Sequence, residues 1–589
     1  MNGNKRFDWF TAVIVLGLFM LYVFGILGHD LWTPDEPRVA ALGRQVAEGA
    51  WVVPTLNGQP FLEQPPLHAW CVALTYKVFG YDPPEIGRIV SALFGLGGLI
   101  VTYLMASHLA RFLGHDGSPR RVGLLAALTL GLSFEYFLTA HRVVVDGALT
   151  FFTTLSAYAL LYGLPAEPSG SRTAWLAAGY ALASVAFLAK GLIGVAVPAL
   201  AFIALVIVLR RPRLLLTSHL WLAPILFVVV TGPWFGLVYC ETGWQGLWQV
   251  FQEIFVENTL GRIVRMEEVR SHARPLHYYL ILLLPVLLPA ALFVLGAAIR
   301  RIRRAALLPL AERTAYDLAF VWFALGFILL SLATTKRAVY LVPLFPALAI
   351  AGGFWLEAYL RRAADGLYEK TLGHLLAILV LIAAAALPVS AIFLEEPYVP
   401  GLILGAIVGA GIAVETWILT RRGIRPGVLT SAVNGIVLVF IFAVAMVVPP
   451  VDAFKALGPS SRRIAEAVPA GAEIHALNPD ETTEGMIPFY VGRTIRPLED
   501  AKEFEDRLRQ VKELYLLDVS KRWIEGTPYW ASWRYIEVDA GPDVLILDVP
   551  GTKSPRRIEG CRSEVVLLDA GRGPGSRAFR VLKLTLSGS

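Results

Sequence analysis

The chain has 589 residues, 56% of them hydrophobic and only 17% charged, with a mean hydropathy of +0.60. That is too apolar for an ordinary soluble multidomain protein and reads as a polytopic membrane protein. A formal charge of +6 is what Arg and Lys at membrane edges supply, so no nucleic-acid partner is implied.

In chain order, the first expected span covers residues 9–29, after Lys5 and Arg6. It is too long for a signal-peptide core, and no small-residue cleavage site follows, so it is expected to stay as a membrane helix. Windows of ~19 residues predict about thirteen spans, centred near residues 19, 98, 130, 154, 181, 200, 228, 287, 325, 348, 382, 410 and 438. Arginine clusters at 111/120/121, 210/211/213, 300/301/303/304, 361/362 and 421/422/425 fill short connections. With a cytoplasmic N-terminus and thirteen crossings, each cluster falls on the cytoplasmic side, as the positive-inside rule requires. The long outer loops are then residues 30–85 and 240–276, within a transmembrane domain of residues 1–450. Residues 451–589 would be an extracytoplasmic α/β domain, with short alternating runs (ELYLLDV, VLILDVP, FRVLKLTL) and a helical FEDRLRQVKEL between Gly/Pro turns. Cys71, Cys240 and Cys561 are widely separated and suggest neither a disulfide framework nor a zinc site.

The stretch LWTPDEPRVA follows the first span directly. Thr33, Pro34 and Glu36 fit a capping box, with Asp35 favourable in the first helical turn and Arg38 an i,i+3 partner. On that reading alone, the segment is a capped amphipathic helix lying on the outer membrane face. Other charged side chains gather on the same side: His141, Arg142 and Asp146 in TAHRVVVDG, Lys190 in FLAKGLIG, and Lys336, Arg337 and Tyr340 in TTKRAVYLVP. The second outer loop adds Arg262, Arg265, Arg270, His272, Arg274 and His277. Snorkelling accounts for such residues singly, but so many cations on the face normally poor in them point to a site for an anionic headgroup, most simply a phosphate. His272 and His277, separated by Pro275, lack the spacing of a helical metal pair.

The motif order Asp35-Glu36-x-Arg38, then Gly49-x-Trp51-x-x-Pro54, then Glu63-Gln64-Pro65-Pro66 resembles the first outer loop of bacterial membrane glycosyltransferases. That family is related to the aminoarabinose transferase of lipid A and, more distantly, to protein O-mannosyltransferases. The resemblance continues through HRVVVDG, AKG and KRAVYLVPLFPAL, over about the first 360 residues. Gln64 stands where family members commonly have Lys, and Val39 where the aminoarabinose enzymes usually have Tyr. Lys190 or Arg262 is expected to supply the missing cation.

The resemblance implies a GT-C-like helical membrane fold of about thirteen helices and an inverting transfer of a sugar from a polyprenyl (undecaprenyl) phosphate. The acceptor would be lipid A or another cell-envelope lipid, at the outer face of the bacterial inner membrane. Such chemistry needs a carboxylate near a developing oxocarbenium ion and cations near the departing phosphate. Asp35 is the expected catalytic carboxylate: a general base if the acceptor is a hydroxyl, an orienting group if it is an already ionised phosphate. Asp146 is the second, positioning carboxylate, and Glu63 is expected to hold Arg38 or a sugar hydroxyl. Donor phosphate or sugar contacts are expected from Glu36, Arg38, Gln64, Lys190, Arg262, His272, Lys336, Arg337 and Tyr340. No cofactor is required; a divalent cation is compatible with the carboxylates, but their spacing matches no dedicated metal loop. A monomer among membrane lipids is expected. Competing readings are a protein O-mannosyltransferase-like enzyme and, from a different class, a secondary transporter. A transporter calls for mid-membrane charges on broken helices and an internal repeat, and neither pattern is visible.

Overall fold

The computed structural model describes residues 8–33, 35–163, 169–261, 274–394, 396–477, 479–498, 501–511 and 513–520, together with strands over 536–537, 544–547, 556–559, 561–569 and 578–586. Helix α1 (Trp9–Val23) starts where the Asp8 side chain accepts from the Thr11 amide, the usual way of satisfying an orphan N–H at a helix start. The chain then turns out of the bundle through Gly25 and Gly28, both at positive φ.

Helix α2 (Glu36–Glu48) is not the capped surface helix that its local pattern taken alone would give. Val39, Ala40, Leu42 and Val46 are buried together with residues of α3 (Leu67–Phe79) and Phe489 of the C-terminal domain. It is covered on two sides and so does not lie free on the membrane face. Between α2 and α3, strands β1 (Thr55–Leu56) and β2 (Gln59–Pro60) form a hairpin closed by Asn57 and Gly58, both at positive φ. This is the Asn-Gly turn whose twist suits two-residue hairpins. The Asn57 amide clips the hairpin to the C-terminal domain, accepting from the Ile495 N–H at 2.6 Å and donating to its carbonyl at 2.5 Å.

Helices α4 (Arg88–Phe112), α5 (Pro119–Gly131), α6 (Phe134–Ala140), α7 (Asp146–Gly163) and α8 (Gly170–Lys190) follow. Among the described residues, eight helices are long and apolar enough to cross a membrane, and three shorter apolar ones (Trp9–Val23, Ile193–Leu209, Tyr278–Leu287) accompany them. The centres expected near 130 and 154 fall on the α5–α6 break and on α7, which do not reach that length and hydropathy together. Helix Phe345–Leu360 is the axis of the bundle, buried from Phe345 through Tyr359. It crosses α5 at Gly353, where a Cβ would sit 2.7 Å from the Val122 carbonyl and the Ala126 amide, a backbone approach only a small residue permits. Helices Leu367–Ser390 and Val399–Arg421 are largely exposed, as lipid-facing helices are. The second outer loop is more helical than expected: helix Leu222–Phe251 bends at Gly243 and runs into a wide turn, Gln252–Gly261.

The C-terminal region contains a five-stranded sheet ordered β4 (Ile495–Leu498), β3 (Ile474–Leu477), β5 (Glu513–Ser520), β10 (Ala578–Leu586), β9 (Cys561–Asp569). The first three strands are parallel and the last two join antiparallel. Helices Gly458–Ala467, Glu481–Val491 and Ala501–Val511 accompany it, and short strands β6 (Ile536–Glu537), β7 (Val544–Leu547) and β8 (Arg556–Glu559) pair separately. The helix and strands expected from the alternating runs are therefore present.

Helix Glu481–Val491 packs on α2 so closely that a Cβ on Gly485 would lie 2.9 Å from the Arg38 Cα. Asp30 ties the same faces: it accepts from the Gly458 amide at 3.0 Å and from the Tyr490 hydroxyl, while its own amide donates to Asp452 at 2.9 Å. The sheet domain thus grips the segment that carries Asp35.

Candidate active site

Asp35 is the N-cap residue of α2, but its side chain makes no cap hydrogen bond. The carboxylate instead faces Arg337, 302 residues away, in a two-point pair: Nη1 donates to Oδ1 at 3.0 Å and Nη2 to Oδ2. Arg38, one turn along α2, sits 3.6 Å from Asp35 and 3.8 Å from Glu63, with its guanidinium over the Phe61 ring. Burial alone would raise the Asp35 carboxyl. The Arg337 hydrogen bond and charge, helped by Arg38 and Lys190, outweigh that and hold it below its ordinary value. Asp35 is therefore ionised at neutral pH, and its side chain keeps 21% exposure, so it is held without being sealed off.

The capping box is not formed. Glu36 turns inward and pairs with Arg88, the first residue of α4: Nε to Oε1 is 2.7 Å and Nη2 to Oε2 is 2.8 Å. The same carboxylate accepts from the Trp32 amide at 2.9 Å and the Val143 amide at 2.9 Å. With both oxygens engaged and 3% exposure, Glu36 is corrected from a donor contact to a scaffold residue. Burial would raise its carboxyl, yet Arg88 and the two amides hold it below its usual value. Arg88 also donates to the carbonyls of His29 at 2.8 Å and Asp30 at 2.6 Å. Burial and the Arg88 charge lower the neighbouring His29 to about 4, so it is neutral at pH 7. In the sequence Arg88 is one more arginine at a span end, and nothing there marks it as a hub.

The Val143 contact matters because that turn leads into α7, whose first residue is Asp146. Asp146 accepts from Lys190 at 2.6 Å, and the Lys190 ammonium lies 4.7 Å from the centroid of the Tyr340 ring. Tyr340 belongs to the 3-10 turn Ala338–Leu344, immediately after Arg337. The structure thus brings Asp35, Arg38, Glu63, Asp146, Lys190, Arg337 and Tyr340 into one chain of contacts.

The remaining expected residues fall elsewhere. Lys336 is buried, and its ammonium donates to the Arg274 carbonyl at 3.1 Å and to the Ala333 carbonyl. It satisfies the Ala333 carbonyl at the end of helix Leu310–Leu332 and ties it to the Arg274 carbonyl of the preceding segment, which corrects the phosphate role expected for it. Gln64 is half-buried beside the exposed Glu63. Arg262 and His272 lie outside the described residues. Among the described residues, no group of three or more His, Cys, Asp or Glu is arranged to hold a metal ion.

The profile of the family described as dolichyl-phosphate-mannose-protein mannosyltransferase matches residues 63–236. The undecaprenyl phosphate-alpha-4-amino-4-deoxy-L-arabinose arabinosyl transferase of Pseudomonas paraeruginosa is 31% identical over 425 residues, 70% of this chain and 72% of that protein. The chain belongs to this family of membrane glycosyltransferases. The Shewanella sediminis protein of the same name is 26% identical over 445 residues, 74% of this chain and 76% of that one. An Aquifex aeolicus protein is 28% identical over 351 residues, so that this chain spans 64% of its length. The crystal structure of ArnT from Cupriavidus metallidurans bound to undecaprenyl phosphate superposes with a TM-score of 0.67 at 21% identity, covering 97% of both chains. That structure therefore shares this GT-C-type fold over nearly the whole length of both chains.

Proposed function

We propose that the protein moves 4-amino-4-deoxy-L-arabinose from undecaprenyl phosphate to lipid A, with inversion at the anomeric carbon. The reaction takes place at the outer face of the inner membrane, with the N-terminus in the cytoplasm and a single chain carrying the site. Residues 1–450 supply the transferase and residues 451–589 an extracytoplasmic domain that holds the Asp35 segment. The observation that carries this reading is Asp35, ionised between Arg337 and Arg38 on the first outer turn, with Asp146–Lys190 beside it. The names of the relatives supply the sugar and its carrier.

In the transfer, the bond from the anomeric carbon to the phosphate oxygen breaks and a bond to the acceptor oxygen forms. Negative charge grows on the departing undecaprenyl phosphate, and Arg337, Arg38 and Lys190 are the cations within reach to stabilise it; a single well-placed donor in such a site is worth roughly 10²–10³ in rate. Asp35 lies where positive charge develops on the sugar. A phosphate group of lipid A is already ionised, so that acceptor needs no general base and Asp35 orients it. A hydroxyl acceptor would instead pass its proton to Asp35. Asp146 keeps the Lys190 ammonium aimed across the Tyr340 ring.

The test is transfer from radiolabelled undecaprenyl-phosphate aminoarabinose by the purified protein in vesicles, offered lipid A, dephosphorylated lipid A or a Ser/Thr-rich polypeptide. Label on intact lipid A alone supports the proposal. Label on the polypeptide would assign the chain to the hydroxyl-acceptor chemistry of the mannosyltransferase profile, and label on dephosphorylated lipid A would remove the phosphate nucleophile.

A further inference from the structure

At the end of the bundle away from Lys190, three arginines stand round one hollow. Arg172 and Lys190 lie at the start and end of α8, about 27 Å apart at 1.5 Å per residue, and Lys190 is the end that meets Asp146. Arg172 is buried, and its Nη2 donates to the Thr217 carbonyl at 3.0 Å and to the Thr217 hydroxyl at 3.2 Å. The Tyr180 hydroxyl, also from α8, donates to the Ser218 carbonyl at 2.8 Å. These bonds fix the short helix α10 (Arg213–Thr217) just after the end of α9 (Ile193–Leu209). The turn and α10 line a cavity of about 390 Å³, walled by Arg210, Arg211, Pro212, Arg213, Leu214 and Thr217.

Three guanidinium groups on one cavity wall suit a phosphate, because each stays ionised and offers a planar fork of donors. Arg210 ends α9 in the left-handed conformation, φ 53°, where Gly is the usual residue, so a long cation stands there against the backbone's preference. The surroundings are apolar: Leu216 is 86% exposed and Trp221 62%. The span Leu222–Glu257 that follows is the least buried of the candidate spans among the described residues. A dissolved anion would make no use of such a rim. A phospholipid would lay its chains on it and set its phosphate among the arginines, with Trp221 at the interface.

We propose that this cavity binds the headgroup of an anionic phospholipid of the phosphatidylglycerol class, in the leaflet at the opposite end of the bundle from the candidate active site. A phosphate held here is a helix length away from Lys190, so the site is separate from that of the sugar donor. The assignment stands whichever sugar the protein moves.

The experiment titrates the full-length protein in detergent with phosphatidylglycerol, phosphatidylcholine or glycerol 1-phosphate and counts bound molecules by native mass spectrometry. Wild type is expected to retain phosphatidylglycerol about 10-fold more tightly than phosphatidylcholine. Arg211→Gln with Arg213→Gln should weaken phosphatidylglycerol binding about 5-fold for each arginine, roughly 25-fold together. The control pair Arg303→Gln with Arg304→Gln, exposed at the end of another helix, should weaken it less than about 3-fold. Arg210→Gly separates binding from folding: it suits the left-handed turn, so Tm should hold or rise while phosphatidylglycerol binding falls about 5-fold. Equal weakening by the two double variants would reduce these arginines to general surface charge. Equal retention of the two lipids, or glycerol 1-phosphate competing as well as the lipid, would overturn the phospholipid assignment, and unchanged binding in Arg210→Gly would remove that arginine from the site.

Discussion

Asp35 and Glu36 are neighbours in sequence, both acidic and both placed by the turn that leaves α1, yet they face opposite environments. Glu36 is enclosed, with 4% side-chain exposure and four donors from Arg88, Trp32 and Val143. Asp35 keeps 21% exposure and leans on Arg337, from a turn 302 residues along the chain. A buried pair with every lone pair satisfied fixes geometry, whereas a held but accessible carboxylate can meet a substrate. The first sets where the second stands. Glu36 binds the turn before Asp146 and Arg88 binds the turn before Asp35, so one ion pair fixes the spacing of both site carboxylates.

The largest effect should come from breaking the enclosed pair. Arg88→Met leaves Glu36 buried without its cation, a loss of about 3–5 kcal/mol. Thermal unfolding in detergent should show a fall in Tm, accompanied by little folded protein. Removing both charges together, as Arg88→Met with Glu36→Gln, should recover stability without restoring activity, because the two turns lose their common tie. A double variant with full activity would detach the pair from the site.

On the accessible side, Lys190→Met removes the partner of Asp146 and the cation proposed to face the donor phosphate. It should lower kcat by roughly 10²-fold with only a small change in Tm. Asp35 also predicts the pH response. Its folded pKa lies below the unfolded value, so its contribution is present above the unfolded carboxylate pKa near ~3.9 and is lost as pH falls through the lower folded value. Activity should therefore hold through mildly acidic pH, and a fall centred above about pH 5 would show that Arg337 does not govern Asp35. The smallest effect belongs to Lys336→Met, which removes hydrogen bonds to backbone carbonyls. It should cost about 1–2 kcal/mol in stability and leave KM for the donor near that of wild type.

The outline of this molecule is legible in the sequence because hydropathy reports lipid contact and alternation reports a half-buried sheet. The helices near the expected centres and strands β5, β7 and β10 follow from those two periodicities. That Asp35, Arg38, Asp146, Lys190, Arg337 and Tyr340 stand at the ends of apolar segments was also readable. Their pairing was not, because nothing local links Asp35 to Arg337 or Lys190 to Tyr340. The same blindness lets the local pattern alone offer Glu36 as a capping residue and α2 as a surface helix. A capping box is a local rule, and here burial against α3 and the sheet domain, with Arg88 available, wins over it. Lys336 and Arg337, adjacent and alike in sequence, point apart, one to the Ala333 and Arg274 carbonyls and one to Asp35.

The most direct test of the contrast is transfer by Asp35→Asn, measured beside wild type at equal folded protein. Asn keeps the size of the side chain and removes its charge, and the residue makes no cap hydrogen bond to lose. A fall of about 10³-fold or more in kcat, with Tm within a few degrees of wild type, is the predicted result. Transfer within about 10-fold of wild type would contradict the account and return Asp35 to the role of an ion-pair anchor for Arg337.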